Sequence, residues 1–202
     1  MGFVCSLALT GTAKTFSPFT TLTAASGVVF GDTTFDQPDV AFNFTTGTNN
    51  TLIVRDGADV NVKSLTMGAS GQETGFVCLV DNAALAMPNA CTLNGDAKLR
   101  LDVSKAAFNG TAPTFVSAGT LTVGSDASVE LTGVAELKAR AEAADVRRCK
   151  VTLLNAANGL GISDAAVQTM SESLPEGTVL QRTSTALKLR IGPPQGVVLS
   201  FR

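Results

Sequence analysis

Short runs of alternating apolar and polar residues, separated by polar turns, fill most of this chain. Leu52-Ile-Val-Arg-Asp-Gly-Ala58-Asp-Val-Asn-Val62 is the clearest case: alternation, a turn, one Ala, then alternation again. The unit returns as Cys78-Leu-Val-Asp-Asn-Ala83-Ala-Leu, as Leu93-Asn-Gly-Asp-Ala97-Lys-Leu-Arg-Leu101 and as Leu121-Thr-Val-Gly-Ser-Asp-Ala127-Ser-Val-Glu-Leu131. A period of two sends successive side chains to opposite faces, so Val and Leu point to a core while Thr, Lys, Arg and Asp face solvent. Gly, Asn and Asp make the turn because they tolerate positive φ or hydrogen-bond their own backbone. The Ala that follows is small enough for a crowded inner corner. Val and Thr in alternating runs predict strands rather than helices.

A longer repeat is superimposed on this one. Gly2-Phe3-Val4-Cys5 recurs unchanged as Gly75-Phe76-Val77-Cys78, and the same offset pairs Phe35 with Phe108 and Phe42 with Phe115. The block Thr51–Val60 aligns with Thr120–Val129 at a slightly shorter offset. An offset near 70 is too long for one coil of a solenoid and fits about three coils of roughly 20–29 residues. Two folds use such strands and turns. Hairpins would give an antiparallel sandwich, whereas a solenoid would use the turns as corners and stack equivalent residues about 4.8 Å apart. The long repeat and the recurrent corner Ala favour an all-β, single-chain parallel β-solenoid. Its inward positions, Val54 and the Val62 type, would stack from coil to coil.

The last third departs from the pattern. Val134 to Arg148 has the Ala, Glu, Lys and Arg content of a helix, yet Leu137, Ala139 and Ala141 alternate with charges, and that alternation favours a surface strand. Lys150–Asn155 reads as a strand. Ser163 reads as the N-cap of a short helix from Asp164 to Ser173, ended by Pro175 and Gly177. Closing strands are expected at Thr178–Arg182 and Ala186–Ile191. Residues 1–149 are thus the coils and 150–202 a C-terminal cap of the same domain, with Ala165, Val167 and Met170 facing the last coil. Solenoids need such atypical ends because an open coil exposes unpaired N–H and C=O groups.

Composition narrows the chemistry. The chain has 11 Phe but no Trp, Tyr or His, which removes the usual general base near neutral pH and the commonest metal ligand. Residues 1–136 hold 6 Lys/Arg against 12 Asp/Glu, and residues 137–202 hold 9 against 5, so an acidic body precedes a basic tail. An acidic body argues against nucleic acid as a partner, and the tail reads as a solvated surface. Cys5, Cys78, Cys91 and Cys149 form no CxxC pair, so zinc is not expected and buried free thiols are, with at most one disulfide. Cys78 and Cys91 lie too close in sequence to stack one above the other. No apolar run is long enough to span a membrane. The stretch Phe3–Leu9 is short and lacks a basic flank, so it does not read as a signal peptide.

No set of residues names a catalytic, cofactor-binding or metal-binding site. Asp32, Asp36 and Asp39 could line a cleft or offer oxygens to Ca²⁺, but they lack the glycine spacing of known Ca²⁺ loops, and a solvated loop is expected. Asp56 and Asp59 sit where Asp is a turn former. The cluster Phe30, Phe35, Phe42 and Phe44 is expected to stack inside the coil rather than mark a partner surface.

The segment Thr120-Leu-Thr-Val-Gly-Ser-Asp-Ala-Ser-Val-Glu-Leu-Thr-Gly133 resembles the strand repeat of bacterial autotransporter-type passenger domains. Val151-Thr-Leu-Leu-Asn-Ala156, Leu174-Pro-Glu-Gly-Thr-Val-Leu180 and Ala186-Leu-Lys-Leu-Arg190 are similar to the ending of such passengers. The resemblance covers roughly 51–191. It implies a right-handed parallel β-helix on a bacterial cell surface or secreted from it, with host or cell-surface glycans or proteins as partners. In such a chain the triplets at Asn43, Asn49 and Asn109 carry no glycosylation meaning. The expected role is a non-catalytic stalk or adhesin-like segment. Alternatives are a fragment of a carbohydrate-active β-helix lyase or hydrolase, and a fibre subunit that associates end to end.

Overall fold

The computed structural model describes residues 7–10, 21–23, 28–45, 50–68, 75–79, 82–107, 115–146 and 148–192. Strands come in pairs along the chain: β1 (Leu7–Thr10) and β2 (Thr21–Thr23), β3 (Val28–Gly31) and β4 (Thr34–Phe44), β5 (Asn50–Arg55) and β6 (Asp59–Met67). The series continues with β7 (Gly75–Leu79) and β8 (Ala84–Leu93), β9 (Lys98–Asp102) and β10 (Val116–Val123), then β11 (Ser128–Thr132). Odd-numbered strands through β11 form one six-stranded sheet in the order β1-β3-β5-β7-β9-β11. The even strands stack in the same sequence on a second sheet, and every one of these pairings is parallel. The protein is a parallel β-solenoid, and the antiparallel sandwich is excluded.

Coil length follows from the register. The aligned residues Leu7, Val28, Leu52, Val77, Leu99 and Val129 lie 21, 24, 25, 22 and 30 residues apart. Three coils therefore account for the offset near 70. The particular correspondences read from sequence are a different matter. Thr51–Val60 runs from sheet one to sheet two, while Thr120–Val129 runs from sheet two back to sheet one. Phe42 shares its column with Leu65, Cys91 and Leu121, not with Phe115. The corner unit occurs at both kinds of corner, after an odd strand at Ala58 and Ala83 and after an even strand at Ala97 and Ala127, so an alignment of corners slides between the two sheets. The repeated Gly2–Cys5 motif and Phe108 lie outside the described residues.

Both kinds of corner close with the same hydrogen bond, from the Ala amide to the carbonyl three residues back. Asp56 and Gly57 adopt φ of 57° and 74°, and the Ala58 amide donates to the Arg55 carbonyl at 3.0 Å. Asp-Gly with two positive φ values is the strongest hairpin signal a sequence can carry. Here the turn hands the chain from one sheet to the other instead. At the opposite corner the Ala97 amide donates to Asn94 O and the Ala127 amide to Gly124 O. Ala58, Ala83, Ala97 and Ala127 are all buried, as expected for a side chain that enters the corner. Corners also bond along the axis: Ala84 N–H donates to Ala58 O, and Ser128 N–H to Ala97 O. A larger residue at these positions would press on its counterpart one coil away.

Inside, apolar columns run down the axis. Phe35, Val60, Leu85, Val116 and Leu154 form one, and Leu52, Leu99 and Val129 belong to another. Val54 stacks with Phe30, Leu79 and Leu101 on the first sheet, while Val62 belongs to the second, so the expected Val54–Val62 column does not form. Burying each such side chain is worth about 1.5–3 kcal/mol. The four phenylalanines pack as expected. Phe30 lies 5.0 Å from Phe35 and 5.9 Å from Phe42, and Phe42 lies 5.8 Å from Phe44, centroid to centroid. Such ring pairs add about 0.5–1.5 kcal/mol each beyond area burial.

The C-terminal third closes the coil. Residues Val134–Ala143 form helix α1, against the strand expected there. Val134, Leu137 and Ala141 are the buried residues, at helical spacing, and Ala139 is exposed. Helix-forming composition outweighed the two-residue alternation because no strand neighbour buries Ala139. Strand β12 (Cys149–Ala156) adds to β10 in parallel, and short β13 (Leu160–Gly161) pairs with β10 as well. Helix α2 (Asp164–Glu172) begins at Ser163, whose Oγ accepts from the Ala166 amide at 3.1 Å. It buries Met170 and half-buries Val167 and Ala166, and packs against β11 and β14. Ala165, expected at that contact, is exposed. Strands β14 (Thr178–Arg182) and β15 (Ala186–Ile191) occupy the expected residues. Both extend the second sheet, antiparallel, in the order β14-β15-β12. They do not complete both sheets, and α2 covers the last strand of the first.

Candidate functional surface

The five aspartates singled out from sequence do not converge. Asp32 and Asp56 occupy equivalent corners in left-handed backbone, and Asp56 pairs with its neighbour Arg55 at 3.2 Å. Asp36 and Asp39 are exposed on β4, in a strand rather than the loop expected there, Asp36 just before and Asp39 within a register shift between Gln37 and Ala41. Asp36 accepts a 2.7 Å hydrogen bond from the Asn61 amide one coil on. Asp59 opens β6 beside Thr34. Among the described residues no group of three His, Cys, Asp or Glu side chains could hold a metal ion. Asn43 is half-buried on β4, and the other two acceptor asparagines, Asn49 and Asn109, lie outside the described residues.

Cys91 and Cys149 are free and buried. Cys91 takes a column position between Leu65 and Leu121, so it packs as a small hydrophobe. Burial pushes its thiol up to about 12. Burial also raises the Cys149 thiol, with the Arg140 charge pulling it partly back. Cys78 belongs to β7 and Cys91 to β8, on different sheets, so they do not stack. Cys5 and the Cys78 side chain are outside the described set.

Several charged side chains are held by neighbouring elements. Arg100 on β9 donates to Glu130 on β11 through Nε at 3.2 Å and Nη2 at 3.0 Å, and Lys98 lies 3.9 Å from the same carboxylate. Arg140 on α1 donates to the backbone oxygens of Ser104 at 2.6 Å and Ala106 at 3.3 Å, satisfying carbonyls at the corner below. Gly133 allows that approach: a Cβ there would fall 2.6 Å from Ser104 N and from Asp102 Oδ1. Lys138 donates to Glu176 O at 2.8 Å, and Arg182 pairs with Asp164.

One group of cations is set side by side with no carboxylate between them. Lys150 on β12 stands directly opposite Arg190 on β15, and Lys188 stands opposite Thr152. Inward residues Val151, Leu189 and Leu187 are buried, which turns Lys150, Lys188 and Arg190 to the outer face. Among the described residues none of the three makes an ion pair or a side-chain hydrogen bond. In sequence these residues were part of a generally basic tail. The antiparallel register that gathers them is not visible in residue spacing, and only the i, i+2 pair Lys188 and Arg190 hinted at a shared face.

No helix among the described residues is long and apolar enough to cross a membrane. Comparison of the chain with protein-family models, with curated proteins and with solved structures finds no match.

Proposed function

We infer that this chain is a non-catalytic segment of a bacterial extracellular protein, a rigid β-solenoid stalk or adhesin-like surface like the autotransporter-type passengers its repeats resemble. The observation that carries the reading is the way side chains are used: the interior is filled by apolar columns and the outer positions carry Thr, Ser, Asn and charged residues. Such a design spends its residues on length and stiffness, because each coil needs only its neighbours to be stable. Enzymes on solenoids need carboxylates or Lys/Arg brought together in a cleft, and the candidate aspartates here are dispersed over corners and strands. The test is to label intact and lysed cells that express the gene with an antibody against the chain. Strong labelling of intact cells is expected. Labelling only after lysis would overturn the surface assignment, and depolymerisation of an acidic polysaccharide by the purified protein would overturn the non-catalytic one.

A further inference from the structure

We propose that the outer face of β12 and β15 is a binding surface for a carboxylated or sulfated polysaccharide. Lys150 and Arg190 are register partners across an antiparallel pair. Like charges directly opposite each other destabilise a sheet, and no carboxylate relieves these among the described residues. Some of the chain's other cations are answered, with Glu130 set between Lys98 and Arg100 and Asp164 beside Arg182, and the lone exposed Lys63 has no second cation opposite it. Edge protection does not explain the cluster. Charges that block strand addition belong on an edge strand, whereas β12 and β15 are interior and β14 is the edge.

The row through Lys188 adds the second half of the argument. Thr152, Lys188 and Gln181 are aligned across β12, β15 and β14. A hydroxyl, an ammonium and an amide thus lie side by side, about 5 Å apart, with Lys150 and Arg190 one residue pair, about 7 Å, further along the strands. A polysaccharide with one acidic group per sugar or disaccharide offers anions at comparable intervals and hydroxyls between them. Nucleic acid fits less well, because bases want aromatic platforms and, among the described residues, the phenylalanine side chains, Phe30, Phe35, Phe42, Phe44 and Phe115, are all buried. A lipid surface wants an apolar face, and Val179 is the one large hydrophobic side chain exposed among the described residues.

The inference rests on the reading of the chain as a non-catalytic surface segment, and the experiment separates the two. The full chain and its Lys150→Gln/Lys188→Gln/Arg190→Gln variant are passed over immobilised heparin and immobilised polygalacturonate, with Lys63→Gln as a surface control. Wild type and Lys63→Gln should be retained at low salt on at least one of the two. The triple variant should bind at least ten-fold more weakly, with a slope of log K against log salt lower by about two to three. Circular dichroism and urea midpoints establish that it remains folded. No retention of wild type, or equal retention of the triple variant, overturns the assignment. Equal or tighter binding to single-stranded DNA, or a low-salt dimer that the same substitutions dissolve, overturns it in favour of those partners. Shortening of the polysaccharide during incubation would instead refute the non-catalytic reading and leave the binding face standing.

Discussion

Gly119→Ala tests whether neighbouring coils touch as closely as the stack requires. Gly119 is buried at the register shift of β10 between Ala118 and Thr120. A Cβ built there would lie 2.4 Å from both Pro88 O and Asn89 O. Both are backbone atoms of β8, the strand one coil below, so neither can swing aside. Ordinary contact requires about 3.4 Å, so the coils must separate locally by about 1 Å, near a fifth of the 4.8 Å spacing. Overpacking of this kind costs about 1–3 kcal/mol. Ala also restricts the unfolded chain and returns about 0.4–1 kcal/mol. Gly124→Ala is the matched control: its Cβ would lie 3.0 Å from Leu93 O, a conflict relieved by a few tenths of an ångström. We expect Gly119→Ala to lower stability by about 1–2 kcal/mol net, and Gly124→Ala to be near neutral. Urea unfolding followed by far-ultraviolet circular dichroism measures both. A Gly119→Ala midpoint equal to or above that of Gly124→Ala would refute the claimed approach of the two coils.

Cys91→Ser should cost about 1–3 kcal/mol, since it puts a hydroxyl between Leu65 and Leu121, while Cys91→Val should cost less; thermal unfolding of the two variants ranks them. Stability should fall at high pH. The Cys91 thiol is raised from 9.0 to about 12 in the folded chain, so its contribution is intact below pH 9 and is lost as pH climbs toward 12. The loss amounts to about 4 kcal/mol at most, and a Cys91→Val variant should show a flatter decline between those limits. Arg140→Met should destabilise by about 0.5–1.5 kcal/mol, by removing the donor to the exposed Ser104 carbonyl and the part-buried Ala106 carbonyl. A urea midpoint unchanged from wild type would contradict that role. Deleting residues 150–202 removes most of β12 together with α2, β14 and β15, and should yield aggregates or fibres that keep β structure. A monomer as heat-stable as the full chain, seen by light scattering and thermal melts, would remove the capping role.

Much of the architecture could be read from residues because a solenoid writes local rules repeatedly. The corner Ala residues, the inward Val and Leu, and the Ser163 cap are short-range features, and each stands where its spacing puts it. Register was harder. The Asp56-Gly57 and Ser125-Asp126 corners look alike because both are polar turns closed by the amide of the Ala that follows, yet they lie at opposite ends of the coil. Helix α1 was misjudged because two-residue alternation has meaning only beside a neighbouring strand, and Val134, Leu137 and Ala141 bury themselves at helical spacing instead. The basic face was illegible for a related reason: Lys150 and Arg190 are forty residues apart, and only the reversal from parallel to antiparallel pairing at β12 sets them opposite each other.

The direction of strand pairing tests the central claim most directly, and nuclear Overhauser contacts on isotope-labelled protein report it. Close contacts between Hα protons across strands are a mark of antiparallel pairs. The account predicts them only at the closing strands among the described residues, for example between Leu180 and Leu189. Phe35, Val60, Leu85 and Val116 should instead be joined one to the next by the amide-to-Hα contacts of parallel neighbours. Hα contacts between β5 and β6 on either side of Asp56-Gly57 would show a hairpin at that turn, and the solenoid would be wrong.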